Sequence, residues 1–441
     1  MSTRLPSSGS RLPALARLES LGQRGIRLGL TAIGEICERL GRPELQVPCV
    51  LVAGTNGKGS TAATLASIAA AAGLRAGLYT SPHLVDVTER IRLGPDDVSP
   101  AELEASLAEV FAAADRPPEV PLTYFEAVTA AAFERFARSG VEWSVLEVGL
   151  GGRYDATNVA PAEMSLVTSI GFDHMADLGD TLSAIAREKA GVFRRGRPAL
   201  TWVEAEEARS ALREAANAAG ARLLEVDREV AIAGLETDLE GARFRLTTPR
   251  RTYDLATPLP GAHQARNAAL AVRAAEILGE REPRLDAVAI QAGVAAVRWP
   301  GRLERFRVGA KTVLLDGCHN AEGAEALARF WREGGLRGDL IFGAMADKEI
   351  EEIGRRLIPC AEGVCFVAPA LGRAASPEEL RRRVGGFARR ASTAGSVEEA
   401  LETLLESART ELIIVAGSLY LVGEARSLLL SGRFESHLPS R

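Results

Sequence analysis

The sequence has 441 residues, 46 % of them hydrophobic, and a formal net charge of −5 at pH 7. This length favours two domains over one, and the apolar content is sufficient for two cores. With 5 % aromatic residues and no block of like charges, the chain lacks the basic surface of a nucleic-acid-binding protein. We therefore expect a globular protein without a nucleic-acid partner.

The N-terminal residues contain no sustained apolar run, and the longest small-apolar stretch, residues 62–74, is Ala-rich and too short to span a bilayer. These features predict a cytoplasmic protein with no membrane partner. The five cysteines are scattered and lack CxxC spacing, which argues against a disulfide framework or a zinc site. Most of them are expected to be small buried hydrophobes.

The stretch VLVAGTNGKGSTAATLASIAAAAG, residues 51–74, has the order strand, glycine-rich loop, helix. Gly54, Gly57 and Gly59 allow the backbone to turn its amides inward. The helix that follows offers unpaired N–H groups and a positive dipole end to an anion. The stretch therefore predicts a phosphate-binding loop, and an ordinary strand-to-helix turn is the alternative.

The loop departs from the literal Walker A pattern at two positions. Val52 occupies the place of the first Gly in that pattern, and Gly59 occupies the place of the Ser or Thr after the lysine. Lys58 is still expected to reach the outer phosphates of a nucleotide, with Ser60 or Thr61 near a metal ion.

From residue 47 to about residue 203, strand-like runs alternate with helical stretches, which predicts a doubly wound, mostly parallel sheet. Residues 221–257 instead have the pattern of short strands with polar turns, a meander that packs against the main sheet or extends it. After VRWPGRLERF the alternation restarts. We therefore place a domain boundary near residue 299, which gives domains 1–298 and 299–441, the second a smaller Rossmann-like α/β domain.

Polar residues follow the predicted strands where the strands end. Ser81 follows AGLYT, Glu147 ends an apolar run, and Asp173 and His174 follow SLVTSI. Ligands of such sheets bind beyond the carboxyl ends of the strands. A lone strand-end Glu is often a salt-bridge or turn residue, and a lone His is often a hydrogen-bonding group. Together, however, Ser81 and Glu147 suit one Mg²⁺ ion, and His174 suggests a second.

Further polar positions in both predicted domains are candidate site residues. Lys189 lies on a helical segment, where the local sequence alone favours a surface lysine. Asp316 ends a strand of the second domain, and Arg302 lies on the linker. These two residues suggest a cleft in which the second domain closes on what the first domain binds. Asn320, after His319, also suits a helix N-cap.

The ordered motifs YTSPHL, LEVGLGGRYDATN, TSIGFDHMADLGDTLSAIAREKAGVF, HQARNAALA, WPGRLE, LDGCHN and GSLYLVGE extend over most of the chain. From about residue 20 onwards, the sequence resembles folylpolyglutamate synthase and the bifunctional dihydrofolate synthase. These enzymes are members of the ATP-dependent Mur-ligase superfamily. The loop GTNGKGS resembles that superfamily's own phosphate loop.

The resemblance implies an ATP site with magnesium. The implied ATP-binding residues are Thr55, Asn56, Gly57, Lys58, Gly59, Ser60, Asn267, Arg302 and Asp316. The last three match the positions for the adenine, phosphate and ribose portions. The resemblance also implies that Ser81 and Glu147 hold one Mg²⁺ and that His174 holds a second, supported by a carbamylated Lys189. Lys58, Lys189 and His319 are the implied catalytic residues, and a monovalent cation is a further cofactor that the resemblance allows.

The resemblance also implies binding residues for the other substrates. Those for dihydropteroate or folate are Ile26, Arg27, Leu28, Thr123, Tyr124, Phe125, Glu126, Arg153, Tyr154 and Asp155. Ser418 and Tyr420 lie where the glutamate-side pocket closes. The flat ring of Phe125 suits stacking on a pterin, and core packing is the alternative for this residue.

The function implied by the resemblance is ATP-dependent ligation by a monomer. L-glutamate is added to dihydropteroate and to the γ-carboxylate of tetrahydrofolates through an acyl phosphate. One alternative is the same chemistry on another acceptor, for instance a cell-wall precursor, against which the segments SPHL and DHMADLGD argue. The other alternative is a phosphate-loop nucleotide-binding protein without ligase activity.

Overall fold

The structure is a computed structural model that describes residues 12–22 and 29–434. The predicted substrate residues Ile26, Arg27 and Leu28 lie outside the described residues. The described chain forms two α/β units, each built on its own sheet, and a third, smaller sheet. This architecture confirms the predicted fold class. Within the described residues, no helix is long and apolar enough to cross a membrane.

The first unit is built on an eight-stranded sheet with the order β4-β3-β2-β5-β1-β6-β7-β8. Its strands are β1 (Cys49–Ala53), β2 (Ala76–Tyr79), β3 (Ile91–Leu93), β4 (Asp96–Asp97), β5 (Trp143–Glu147), β6 (Met164–Val167), β7 (Pro198–Thr201) and β8 (Arg222–Glu225). All neighbouring pairs from β2 to β8 are parallel, and only β3 and β4 join antiparallel at one edge. The predicted doubly wound, mostly parallel sheet is confirmed.

The helices of this unit cover both faces of the sheet. They are α1 (Pro13–Leu21), α2 (Thr31–Arg39), α3 (Lys58–Ala71), α4 (Pro100–Asp115), α5 (Tyr124–Arg138), α6 (Met175–Leu178), α7 (Leu182–Lys189) and α8 (Glu206–Ala219). Successive residues of β1 belong to opposite cores: Cys49, Leu51 and Ala53 to one, and Val50 and Val52 to the other. A strand buried on both faces needs a continuous apolar run, which is the pattern of CVLVA.

The segment predicted as a meander divides between two sheets. β8 extends the main sheet parallel to β7. After α9 (Val226–Glu229), β9 (Ala231–Asp238), β10 (Gly241–Thr247) and β11 (Thr252–Thr257) form a three-stranded antiparallel sheet. Alternate residues of β10 and β11 are buried, and they share a core with α3, α10 (Ala262–Leu278) and α11 (Ala287–Ala296). Extension of the main sheet is thus observed for β8, whereas the antiparallel strands pack against α10 and α11.

The second unit is built on a six-stranded sheet with the order β12-β13-β17-β14-β15-β16. Its strands are β12 (Arg302–Val308), β13 (Lys311–Asp316), β14 (Gly338–Phe342), β15 (Val364–Phe366), β16 (Ala391–Thr393) and β17 (Leu412–Ala416). Its helices are α12 (Ala321–Glu333), α13 (Ile350–Leu357), α14 (Pro377–Val384), α15 (Val397–Ser407) and α16 (Leu419–Leu430). The domain boundary near residue 299 stays a prediction.

The cysteines have the environment that their spacing predicts. All five lie in the described part of the chain, and all are free. Cys37, Cys49, Cys318 and Cys365 are buried, and Cys360 is half-buried. Burial raises the pKa of the Cys49 thiol to about 12, so this side chain behaves as a small hydrophobe.

Candidate active site

A cleft of about 1550 Å³ lies between the two units. Its walls include the residues that follow β1, β2, β5 and β6 in the first unit and β13, β14 and β17 in the second. β1 lies between β5 and β6, so the order of the parallel strands reverses beside β1, and ligands bind at such switch points. The sheet topology thus collects the predicted strand-end residues at one place.

The glycines of the phosphate loop are required by close packing as well as by backbone conformation. Gly54 has φ +147° and Gly57 has φ +83°. A Cβ atom on Gly54 would lie 2.0 Å from Thr168 Oγ1, and one on Gly57 would lie 2.5 Å from Asn267 Oδ1. Larger residues would therefore displace either the loop or its neighbours.

Gly59 explains why the loop departs from the Walker A pattern. A Cβ atom at this position would lie 2.3 Å from Cζ2 of Trp299, whose indole ring packs against the first turn of α3. Trp299 belongs to the segment that leads into the second unit. A Ser or Thr after the lysine is thus excluded because the interdomain segment occupies its place.

Replacing Gly59 with Ser would restore the Walker A residue after Lys58, yet we expect it to destabilise the protein by about 1–3 kcal/mol and to raise the KM for ATP. The reason is that the added side chain would overlap the Trp299 ring, so either the ring or the phosphate loop would have to move. Thermal unfolding and ATP kinetics test this expectation. Gly34→Ala is the control, because Gly34 lies on α2 with no atom within 4 Å of an added Cβ. An unchanged melting temperature and KM in Gly59→Ser would contradict the packing argument.

Lys58 is the first residue of α3 and folds back over the loop. Its Nζ donates hydrogen bonds to the carbonyl oxygens of Gly54 and Thr55, at 3.0 Å each. Burial lowers the pKa of Lys58, and the carboxylates of Glu147 and Asp173 oppose this shift. The loop therefore holds the Lys58 ammonium group beside the place where a nucleotide phosphate would bind, as the motif predicts.

Glu147 and Ser81 meet at the ends of β5 and β2. Glu147 is only 5 % exposed, and its Oε2 accepts a hydrogen bond from the backbone N–H of Ser81 at 3.1 Å. Burial raises the pKa of Glu147, and the charge of Lys58 opposes this shift. A buried carboxylate is costly unless it is paired or binds a cation, so this pair fits a cation site beside the phosphate loop.

Lys189 is buried at the end of α7, which contradicts the alternative of a surface helix lysine. Its Nζ donates a hydrogen bond to the carbonyl oxygen of Gly54 at 2.8 Å, so it contacts the phosphate loop directly. Burial, followed by the charge of Lys58, lowers the pKa of Lys189 to about 7. A large fraction of its amine is therefore neutral near pH 7.

The second unit contacts the phosphate loop and the end of β6 directly. Asn56 Nδ2 donates to Glu322 Oε2 at 2.7 Å, and Asn320 Nδ2 donates to Asn56 Oδ1 at 3.0 Å. Lys348 Nζ lies 2.8 Å from Asp173 Oδ1. Asn320 also caps α12, accepting from the N–H of Gly323. The N-cap suggested by the sequence is confirmed, and it serves the domain contact as well.

Both predicted histidines face Asp173. His319 Nε2 lies 3.8 Å from Asp173 Oδ2, and His174 Nε2 lies 3.9 Å from Asp173 Oδ1. Burial alone would raise the pKa of Asp173, but the hydrogen bond and charge of Lys348 hold it well below its usual range. Burial lowers the pKa of His319 to about 4, so its ring is neutral near pH 7.

The three residues predicted for the adenine, phosphate and ribose portions of ATP line the same cleft as the phosphate loop. Arg302 and Asp316 are paired in the register of β12 and β13. Asp316 Oδ1 accepts from the N–H of Cys318 at 3.0 Å, and burial raises the pKa of Asp316 against the opposing charge of Arg302. Asn267 lies on α10 against Gly57.

On the acceptor side, three predicted polar residues use their side chains to build the wall of the cleft. Glu126 Oε2 accepts from the N–H of Thr123 at 2.8 Å, and Thr123 Oγ1 accepts from the N–H of Glu126, which together cap α5. Asp155 Oδ2 accepts from the N–H groups of Gly149 and Leu150. These contacts fix the shape of the wall, and direct substrate binding by these residues stays a prediction.

The aromatic residues of the acceptor side line the cleft, whereas Arg153 does not. Tyr124, Phe125 and Tyr154 all lie on its wall. The ring centroid of Phe125 lies 6.2 Å from that of Tyr79, so the ring takes part in core packing. Phe125 is only half-buried, so part of its ring is also open to the cleft. Arg153 lies outside the lining, with its Nε 3.3 Å from Glu188 Oε1.

Ser418 and Tyr420 line the cleft from the second unit, as the glutamate-side prediction requires. Ser418 caps α16, its hydroxyl accepting from the N–H of Tyr420. The Tyr420 hydroxyl accepts a hydrogen bond from Arg373 at 2.8 Å, and the Arg373 guanidinium lies 5.3 Å from the ring centroid. Arg373 therefore lies beside Tyr420, one of the two residues predicted for the glutamate side of the cleft.

Several cleft residues escaped the sequence prediction. Lys348 follows β14 in GAMADKE, so the strand-end signal used elsewhere could have found it. His83 and Arg90 line the cleft near α5, and Trp299 packs on the phosphate loop. No local pattern marks Arg90 or Trp299, because their positions depend on contacts with residues distant in the sequence.

Two family models match the chain: the Mur ligase middle domain at residues 52–275, and the Mur ligase glutamate ligase domain at residues 301–419. Fold, phosphate loop and interdomain cleft thus define an ATP-dependent ligase of the Mur type. The chain is 34 % identical over 417 residues to the dihydrofolate synthase/folylpolyglutamate synthase of Bacillus subtilis, covering 92 % of this chain and 96 % of the relative. It belongs to the dihydrofolate synthase/folylpolyglutamate synthase family.

Other relatives agree with this placement. The Escherichia coli dihydrofolate synthase/folylpolyglutamate synthase is 33 % identical, with 97 % of each chain covered. The structure of E. coli FolC in complex with DHPP and ADP matches with a TM-score of 0.85 and 32 % identity, covering 97 % of this chain and 100 % of that one. Mycobacterium tuberculosis folylpolyglutamate synthase complexed with ADP matches with a TM-score of 0.87 and 32 % identity, covering 95 % and 98 %. The resemblance seen in the sequence is confirmed.

Proposed function

We propose that this protein adds L-glutamate to dihydropteroate and to the γ-carboxylate of tetrahydrofolates, at the expense of ATP. The observation that carries the proposal is the position of Lys58, whose ammonium group lies over a phosphate loop that Asn320 and Glu322 of the second unit close. Such a closed loop suits phosphoryl transfer to an acceptor sheltered from water. Relatives that align over nearly the whole chain support the folate acceptor.

The reaction has two steps that this geometry can serve. The acceptor carboxylate would attack the γ-phosphorus of ATP and release ADP, and the glutamate amine would then displace phosphate from the acyl phosphate. Lys58 would offset the repulsion between the anionic acceptor and the triphosphate. The departing phosphate would take up the proton that the amine loses, and His319, whose ring is neutral, would lie in the cleft beside the reacting groups. Ser418 and Tyr420 would lie beside the incoming glutamate.

The strand-end residues fit magnesium that arrives with the nucleotide. Among residues 12–22 and 29–434, no group of three His, Cys, Asp or Glu side chains is placed to hold an ion. Mg²⁺ needs few protein ligands, because waters and substrate phosphates complete its coordination. We therefore assign Ser81 and Glu147 to one Mg²⁺, and His174 with a carbamylated Lys189 to a second. When bound, the ions would neutralise charge on the transferred phosphoryl group.

Glutamate- and Mg²⁺-dependent release of phosphate from ATP tests the proposal, with 7,8-dihydropteroate and a tetrahydrofolate as parallel acceptors. We expect release with both acceptors and none when glutamate is omitted. Release with tetrahydrofolate alone would remove the dihydropteroate half of the proposal. Release with neither acceptor would overturn the folate assignment and leave a ligase with another acceptor. Release that does not depend on glutamate would indicate a nucleotide-binding protein without ligase activity.

The monomeric state, the cytoplasmic location and the use of a monovalent cation stay predictions. Size-exclusion chromatography with light scattering tests the first of these. A comparison of turnover in potassium and in sodium buffers tests the last.

A further inference from the structure

Arg90 is a buried cation on the wall of the cleft. It ends the short helical turn Val87–Arg90, directly before β3, and is 8 % exposed. Its Nε donates a hydrogen bond to His83 Nδ1 at 2.9 Å, and its guanidinium lies 5.1 Å from the centroid of the Tyr124 ring. Among residues 12–22 and 29–434, no carboxylate forms an ion pair with it. The two terminal nitrogens of this guanidinium thus have no assigned partner in the described chain.

The acidic residues nearest in sequence do not supply the missing counter-charge. Asp86 Oδ1 accepts hydrogen bonds from the N–H and the hydroxyl of Thr88. Glu89 accepts from the backbone N–H groups of residues 84, 85 and 86. Both carboxylates are therefore used to form their own turn. The charge of Arg90 acts on the buried carboxylate of Glu147 without an ion pair between them. A buried cation with no carboxylate in contact is costly, so the terminal nitrogens of Arg90 are placed for an anion that the described chain does not itself provide.

His83 adds a second donor to this position. Because its Nδ1 accepts the hydrogen bond from Arg90, a neutral ring carries its proton on Nε2. His83 lines the cleft together with Arg90 and Tyr124. The His83 bond and the Tyr124 ring together hold the guanidinium in one orientation.

We propose that Arg90, oriented by His83 and Tyr124, binds the non-reacting α-carboxylate of the terminal glutamate of a folate acceptor. The inference rests on the proposed function, since it names the part of the acceptor that this wall recognises. A planar guanidinium suits a carboxylate, which it can bind through two parallel hydrogen bonds. Dihydropteroate carries only the carboxylate that reacts. Arg90 is therefore a specificity residue that favours acceptors already bearing glutamate.

Equilibrium binding to the full chain in the presence of ADP and Mg²⁺ tests this assignment. The ligands are 7,8-dihydrofolate and 7,8-dihydropteroate, which differ only by the glutamate. We expect Arg90→Gln to weaken dihydrofolate binding about 10- to 100-fold and dihydropteroate binding much less. Arg90→Lys keeps the charge but not the paired donors, and we expect an intermediate loss. Arg17→Gln is the control, because Arg17 lies outside the cleft lining and pairs with Asp115 at the surface.

Two results would overturn the inference: equal losses for both ligands, or unchanged dihydrofolate affinity in a folded Arg90→Gln. Thermal unfolding shows whether Arg90→Gln is folded. If it is not, the affinities for the two ligands are compared in Arg90→Lys instead. Wild-type phosphate release with tetrahydrofolate separates this inference from the proposed function. If the wild type releases phosphate and the Arg90 variants keep the wild-type ratio of the two affinities, only the role of Arg90 fails.

Discussion

Replacing Lys58 with Met is expected to lower glutamate-dependent phosphate release about 1000-fold or more and to leave the fold intact. The ammonium group lies over the phosphate loop, where it would meet the charge of the transferred phosphoryl group. Burial lowers the pKa of Lys58, so holding this cation in place costs the folded protein stability. Loss of the charge should therefore affect catalysis far more than the melting temperature.

Lys311→Met is the matched control for Lys58→Met. Lys311 Nζ also donates to two backbone carbonyl oxygens, those of Ala408 and Thr410, at 2.6 and 2.9 Å. It lies on β13 and outside the cleft lining. Phosphate release at the wild-type rate is expected from this variant. A near-normal rate in Lys58→Met, or an equal loss in both variants, would refute the role assigned to Lys58.

Replacing Lys189 with Met is expected to lower turnover about 100-fold, because the proposed carbamate, which would support the proposed second metal site, could not form. Only a neutral amine captures CO₂, and the pKa of Lys189 is lowered to about 7. Above pH 7 the amine is mostly neutral, and below pH 7 it is mostly protonated. Wild-type protein depleted of CO₂ should therefore regain activity when bicarbonate is added at pH 8, and much less at pH 6.

The carbamate itself is measurable by ¹³C NMR after addition of ¹³C-bicarbonate. A carbamate signal is expected in the wild type and in Lys311→Met, and its absence is expected in Lys189→Met. The assignment would be wrong if the fully active wild type gave no such signal. It would also be wrong if Lys189→Met turned over at a near-normal rate.

The main sheet of the first unit was predictable because its strands are buried on both faces. The run CVLVA is apolar throughout, WSVLE is mostly apolar until Glu147, and the structure places them, fully buried, as β1 and β5 in the middle of the sheet. The short strands β3, β4 and β16, of which β4 and β16 are edge strands, have two or three residues each, too few to show a period. Their pairing depends on a neighbouring strand edge, which no local pattern reveals.

Site residues were predictable where a polar or charged side chain lies at or after the end of an apolar strand. Lys58, Glu147 and His174 carry reactive groups just beyond apolar strands, and the sheet topology brings them to one cleft. The interpretation of Lys189 was different, because its local sequence is that of an exposed helix. Only the packing of α7 against the phosphate loop shows that it is buried and close to Gly54.

The sequence by itself determined the class of fold, the phosphate loop and the family, because apolar period, glycine spacing and motif order are local properties. Tertiary structure alone decided which side chains have partners. Gly59 is required because Trp299 occupies the adjacent space, and Asp173 is held ionised by Lys348 from the other unit. Within the described residues, Arg90 forms no ion pair, because the carboxylates of Asp86 and Glu89 accept hydrogen bonds within their own turn. Contacts between residues far apart in the chain set burial and charge pairing, and these set the chemistry of each group.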